Sequence, residues 1–212
     1  MAGGIGSRLA PLSTPEHPKQ FLDLLGTGKT LIQMTYERFL EVDPEAAFWV
    51  VTGERYLHFV QEQLPQIPFA HVLLEPQARN TAPCISYACR RILLEDPSAN
   101  VVVTPSDAFV PDYKSFAEAI RTALDFSRRE NALLCIGITP TSPSPLYGYI
   151  NALPAGGPVL KVARFKEKPT VEVAEGYLAE GNYYWNAGIF VWRAGVMAGE
   201  LRLYAPQIEA NM

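Results

Sequence analysis

Several short segments of this 212-residue chain combine residue types suited to phosphate and sugar. The first is Ala2-Gly3-Gly4-Ile5-Gly6-Ser7-Arg8, which runs on through Pro11, Pro15 and Pro18 to Lys19. Closely spaced glycines let backbone N–H groups approach phosphate oxygens without interference from Cβ. Arg8 adds a planar, permanently charged fork and Lys19 a second cation. The prolines between them stiffen the chain and lower the entropy lost in holding both cations on one ligand. The spacing matches neither G-x-G-x-x-G nor G-x-x-x-x-G-K-[ST], so the dinucleotide fingerprint and the P-loop are both excluded. Taken alone, a bare Gly-x-Gly pair is better read as an ordinary Gly/Pro surface loop.

The second is Asp107, in Thr104-Pro105-Ser106-Asp107 just past an apolar run. A lone carboxylate there suits Mg²⁺, which takes one or two carboxylates plus substrate phosphates. A turn aspartate capping its own loop is an equal reading. The third, Glu75 to Pro83, follows another apolar run and opens a helix, whose N-terminus attracts electronegative groups. Its polar side chains, Asn80 and Thr81 among them, suit a base edge, although a helix cap explains both residues as well. Glu167-Lys168-Pro169 places a carboxylate beside an ammonium, pinned by proline, as a sugar hydroxyl and a phosphate would need. In isolation it reads as an exposed strand end. Asn182 to Gly188 supplies amides and aromatics that suit a sugar or a core. His17, His58 and His71 show no metal spacing and no nucleophile partner.

These residues need a scaffold, and the hydrophobic pattern predicts one. Apolar runs at Ala47–Thr52, His71–Glu75, Val101–Thr104 and Leu133–Ile138 read as buried strands. Between them lie helices: one capped by Thr30 with Ile32, Tyr36, Phe39 and Leu40 on its apolar face, one capped by Thr81 with Pro83 in its first turn, and one over Tyr113–Arg129. The alternation argues for a doubly wound parallel sheet with helices on both faces. After Ile138 the pattern changes. Tyr147–Leu153 and Val159–Lys168 read as a strand pair around Gly156-Gly157, Thr170 caps a helix, and Trp185–Trp192 returns as a strand. The expectation is one domain over 1–212, with a nucleotide-binding half at 1–139 and an α+β sugar-phosphate half at 140–212 that share one continuous sheet. A glycine-rich phosphate loop normally follows a buried strand, so an upstream strand is expected before Met1.

The bulk numbers narrow the class. A hydrophobic fraction of 48% with 19% charged residues marks a folded globular chain. The net charge of -4 gives no general attraction for nucleic acid, so phosphate binding must be local. Cys84, Cys89 and Cys135 form no C-x-x-C motif and read as core residues of a protein in the reducing cytoplasm. The apolar runs are too short for a bilayer, which excludes a membrane partner. Nothing specifies the oligomeric state, and a homo-oligomer is compatible with the chain.

Taken in order, these segments resemble the bacterial-type mannose-1-phosphate guanylyltransferases of the sugar nucleotidyltransferase superfamily. The resemblance rests on Met1-Ala2-Gly3-Gly4-x-Gly-x-Arg8-Leu9, Pro18-Lys19-Gln20-Phe21, Glu75-Pro76 with Arg79-Asn80-Thr81-Ala82-Pro83, Pro105-Ser106-Asp107, Tyr147-Gly148-Tyr149-Ile150, Phe165-x-Glu167-Lys168-Pro169 and Trp185-Asn186-x-Gly188. It covers almost the whole chain, and several motifs in one order are far more specific than any alone.

The resemblance implies a Rossmann-like nucleotide-diphospho-sugar transferase fold and transfer of GMP from GTP to mannose-1-phosphate with Mg²⁺. It implies that Ala2, Gly3, Gly4, Gly6 and Arg8 hold the triphosphate, that Lys19 contacts phosphates near the reacting centre and that Asp107 binds the metal. It places Asn80 and Thr81 by the guanine, Gly148, Glu167 and Asn186 on the mannose, and Lys168 on the sugar phosphate. The chain departs from the pattern in three ways. Ala108 stands where the family has His, no apolar strand precedes Met1, and no Trp-x-Asp-x-Gly segment with a second metal aspartate appears. The chain is therefore expected to be a fragment with little turnover by itself. Two other readings compete: a nucleotidyltransferase for another sugar or base, and a non-catalytic homologue that binds a nucleotide sugar and regulates a partner.

Overall fold

The structure, a computed structural model, describes residues 1–4, 9–76 and 81–209. Seven strands are seen among them: β1 (Val50–Gly53), β2 (Val72–Glu75), β3 (Asn100–Val103), β4 (Leu134–Ile138), β5 (Tyr149–Leu153), β6 (Lys161–Lys166) and β7 (Tyr183–Arg193). They alternate with α1 (Leu31–Leu40), α2 (Leu57–Gln63), α3 (Thr81–Glu95), α4 (Tyr113–Arg129), α5 (Val171–Glu180), α6 (Ala194–Tyr204) and α7 (Pro206–Glu209).

Local chemistry explains most of the boundaries. The Thr30 N–H donates to Gln33 Oε1 at 3.0 Å and starts α1. The Asp112 carboxylate accepts from the Ser115 N–H at 3.0 Å and starts α4. In α4, Phe116, Ala117, Ile120 and Ala123 are buried on one stripe, while Arg128 and Arg129 close the last turn, where cations complement the helix dipole. The Thr170 hydroxyl accepts from the Val173 N–H and starts α5. Thr81, expected as a cap, is instead the first residue of α3. The residues from Ala194 onward carry no start signal: Arg193 stands at the N-cap of α6 and makes no capping bond, so nothing local announces that helix.

The strand pairing differs from the expected single sheet. β1 and β2 pair in parallel as a sheet of two, and the other five strands form a second sheet whose pairings are all antiparallel. The segment lying between β1 and β3 is Met1–Ala2. The Ala2 N–H donates to the Val51 carbonyl at 2.8 Å, the Met1 amino group to the Thr104 carbonyl at 3.0 Å, and the Ser106 N–H to the Met1 carbonyl at 3.1 Å. Two residues bridge the sheets but cannot make a ladder. A cavity of about 380 Å³ lies alongside, with Ile32, Phe39, Val50, Val101 and Val102 in its wall.

The second sheet is organised by β7, whose eleven residues are the longest strand described. At Phe190 it pairs with Val103 of β3 and Cys135 of β4, on opposite edges. At Trp185 it pairs with Ile138 of β4 and Tyr149 of β5, again on opposite edges. Because β4 follows one edge from Trp185 to Val191, β3 and β5 share the other, with Asn186–Ile189 between them. Ile189 in turn packs with Phe39, Phe116 and Ile120, which fastens α1 and α4 to the sheet. Cys84 and Cys89 face inward from α3, and burial pushes both thiols up to about 11. No helix among the described residues is long and apolar enough to cross a membrane.

Ile120 is fully buried. Ile120→Ala is expected to lower the unfolding free energy by roughly 2–5 kcal/mol in urea titration, whereas Val162→Ala on the exposed strand β6 changes it by less than about 0.5 kcal/mol.

Candidate active site

The break along the β7 edge lies between the end of β3, which leads to Asp107, and the start of β5, which follows Gly148. β3 runs toward Asn186 and ends at Val103, and Thr104–Asp107 continue from it. β5 enters the same edge at Tyr149, directly after Gly148. The Asn186 N–H donates to the Gly148 carbonyl at 2.8 Å and closes the break from the β5 side. Residues from both halves of the chain therefore reach one stretch of one strand.

On the nucleotide side, Lys19 Nζ lies 2.5 Å from Asp107 Oδ2, with the two side chains 30% and 26% exposed. Lys19 arrives on a single turn whose entry is tied down, since its own N–H donates to Ser13 Oγ at 3.0 Å. Ala2 is buried, and Gly3 and Gly4 follow it to the surface. Among the described residues, the Gly3 and Gly4 N–H groups have no hydrogen-bond acceptor. Thr81 opens α3 and is exposed. Gly6, Arg8 and Asn80 lie outside the described residues.

On the other side, Gly148, Glu167 and Asn186 converge. A Cβ on Gly148 would stand 3.1 Å from Glu167 Oε2 and 3.8 Å from Asn186 Cβ, so glycine lets the Glu167 carboxylate lie close against the backbone here. Lys168 Nζ pairs with Glu167 Oε1 at 3.0 Å across largely exposed side chains. Lys168 also has φ of 36°, a left-handed backbone that costs a non-glycine residue about 1–3 kcal/mol and is typical of functional positions. Asn186 Oδ1 accepts the Gly188 N–H at 3.0 Å, which orients its amide, and Gly188 meets this turn at φ 69°.

Two supporting residues escape a reading of residue types. Gln20 is only 2% exposed, and its Nε2 donates to the Ala2 and Gly4 carbonyls, both at 2.9 Å. By drawing those carbonyls inward it shapes the glycine loop; the only signal for it was its place beside Lys19. Glu75, at the end of β2, brings Oε2 to 3.4 Å from a Cβ built on Gly3, and burial raises its pKa. Its segment was singled out, but the carboxylate itself was not.

As a metal site the region is sparse. Among the described residues no group of three or more His, Cys, Asp or Glu gathers. Asp107 alone, already opposite Lys19, fits a cation that brings most of its oxygen ligands with a phosphate substrate.

The chain belongs to the nucleotidyl transferase family, which it matches over residues 1–210. Its relatives narrow the branch. It is 41% identical over 211 residues to the xanthan biosynthesis protein XanB of Xanthomonas campestris pv. campestris, covering 98% of this chain and 44% of that protein. It is 39% identical over 217 residues to a mannose-1-phosphate guanylyltransferase of Escherichia coli, covering 98% of this chain and 45% of that one. Among solved structures, a protein of Thermus thermophilus described as a mannose-1-phosphate geranyltransferase superposes with a TM-score of 0.90 at 32% identity, over 99% of this chain and 61% of that one. The fold is thus the expected mixed α/β nucleotide-diphospho-sugar transferase fold. The chain spans less than half the length of these curated relatives.

Gln20→Ala removes both bonds to the loop carbonyls while leaving its two apolar neighbours Phe21 and Ala2 in place. Stability is expected to fall by about 1–3 kcal/mol in urea titration, with amide exchange rising first in residues 1–4.

Proposed function

We propose that the protein transfers GMP from GTP to mannose-1-phosphate, giving GDP-mannose and pyrophosphate. What supports this reading is that β3, which leads into one cluster, and β5, which follows the other, flank the same break in the β7 edge. Lys19 and Asp107 are suited to a polyphosphate with its metal, and Gly148, Glu167, Lys168 and Asn186 to a sugar phosphate. The names of the similar proteins support the choice of mannose and guanine.

In this reading 1–139 is the nucleotide half and 140–212 the sugar-phosphate half. A phosphate oxygen of mannose-1-phosphate attacks the α-phosphorus of GTP. The bond from that phosphorus to the bridging oxygen breaks, and pyrophosphate leaves with the electron pair. No covalent bond to the protein forms, so the residues act by positioning and by neutralising charge. Gly3, Gly4, Gly6 and Arg8 hold the triphosphate, and Lys19 turns from Asp107 to the phosphates at the reacting centre. Asn80 and Thr81 face the base. Glu167 and Asn186 accept and donate to sugar hydroxyls, and Lys168 holds the sugar phosphate against the α-phosphorus. Mg²⁺ held at Asp107 would offset the negative charge of the triphosphate. The free cysteines and soluble substrates suit the cytoplasm.

The direct test is pyrophosphate release by the intact protein with GTP, dTTP, UTP and ATP, each offered with mannose-1-phosphate and glucose-1-phosphate. GTP with mannose-1-phosphate is expected to give the highest kcat/KM. Tight GDP-mannose binding without any pyrophosphate release would favour a regulatory homologue instead.

Three further outcomes are expected. Lys19→Ala and Asp107→Ala each lower kcat/KM by about 100-fold or more, and each changes stability by less than about 1 kcal/mol, because the pair is partly exposed to water. Mn²⁺ followed by electron paramagnetic resonance binds weakly to the protein alone and at least about tenfold more tightly with GTP present, since one carboxylate makes no cage. Gly148→Ala forces Glu167 aside, raising KM for mannose-1-phosphate by about tenfold or more while leaving KM for GTP nearly unchanged.

A further inference from the structure

Arg38 is the largest charged side chain in the core. It is 1% exposed, yet none of the ion pairs seen among the described residues includes it. Its guanidinium lies 4.9 Å from the centre of the Phe116 ring and 5.9 Å from that of Phe39. Nη1 donates to the Ala108 carbonyl at 2.9 Å, Nη2 reaches Thr35 Oγ1 at 3.4 Å, and Nε has no partner. Burial lowers its pKa, with Tyr113 acting in the opposite direction.

A cation in this place is costly. Taking it out of water is expensive, and an apolar side chain of similar volume could fill the space beside the Phe39 and Phe116 rings, which pack edge to face on each other, at no loss of stability. The rings and one carbonyl recover only part of that loss. What an apolar replacement could not do is hold the carbonyl of Ala108, which follows Asp107 directly. The preceding side of Asp107 is already fastened: the Met1 amino group holds the Thr104 carbonyl, and the Met1 carbonyl holds the Ser106 N–H. Arg38 completes the fastening on the following side. Because it grips main chain, the clamp does not depend on which side chain stands at position 108.

We propose that Arg38 is a positioning residue for Asp107: from beneath the loop its guanidinium fixes the Ala108 carbonyl and so sets where the neighbouring carboxylate points. This rests on the reading of Asp107 as the metal carboxylate.

The test compares Arg38→Met, Arg38→Lys and Asp107→Asn in the intact protein. Three measurements are made: thermal unfolding, hydrogen exchange of the peptide spanning 104–110, and Mn²⁺ binding in the presence of GTP. Arg38→Met is expected to keep or raise the melting temperature while exchange in 104–110 accelerates by about tenfold and other segments stay unchanged. Mn²⁺ affinity should fall by about 10- to 100-fold, the worth of one charged hydrogen bond, and the same change made on top of Asp107→Asn should have no further effect. Arg38→Lys, which keeps a cation that can reach the carbonyl, should recover part of both losses.

Unchanged exchange in 104–110 overturns the proposal. So does a large drop in melting temperature with faster exchange everywhere, which marks a general packing role, and so does faster loop exchange with wild-type Mn²⁺ affinity while Asp107→Asn abolishes binding. If Asp107→Asn itself leaves Mn²⁺ binding intact, the metal reading of Asp107 fails, and faster exchange confined to 104–110 still supports the clamp.

Discussion

The whole arrangement depends on one long strand having two edges. β7 carries β4 along one edge for most of its length and leaves the other to be shared by β3 and β5. A strand edge presents regularly spaced donors and acceptors, so two partners on the same edge must leave a break where one ends and the next begins. Here the break falls at Asn186–Ile189, where the carboxyl end of β3 and the entry to β5 face each other. The hydrophobic packing of Ile189 with Phe39, Phe116 and Ile120 holds that break still from behind.

Around the break, fastening and chemistry are done by different groups. The loops are held through their main chain: Gln20 takes the Ala2 and Gly4 carbonyls, Ser13 takes the Lys19 N–H, and Asn186 donates its N–H to Gly148. Buried and half-buried hydrogen bonds of this kind are expensive to leave half made, so they hold position firmly without adding net charge. The side chains of Lys19, Asp107, Glu167 and Lys168 are left at the surface, where they can exchange partners.

That exchange is what the charges suit. Lys19 with Asp107, and Lys168 with Glu167, are pairs in which each carboxylate or ammonium is partly hydrated. Partly exposed pairs contribute little to stability, so breaking them in favour of a phosphate costs little. Each of these two lysines is neutralised by a neighbouring carboxylate.

Much of this was legible in the order of residues. Apolar runs and helical spacing are local properties, and they located β1 to β7 and α1, α3, α4 and α5 within a few residues. Helix α6 was not legible, because Arg193 gives no capping signal and the helix is held by what it packs on. Residue types likewise pointed to phosphate at Lys19, to a metal at Asp107 and to sugar around Glu167 and Asn186, while Gly148 came in only with the family resemblance. Residue types could not say that the Glu167 carboxylate lies 3.1 Å from where a Gly148 side chain would begin. They could not separate Gln20 and Arg38, which are buried and hold the loops, from the polar residues that merely face water. Nor could they show that the β1–β2 ladder stops short of β3. Pattern along a chain reflects which face of an element is apolar. Which carbonyl a buried guanidinium reaches, and where one strand edge passes from one partner to the next, depend on pairings between distant segments, and those exist only once the chain has packed.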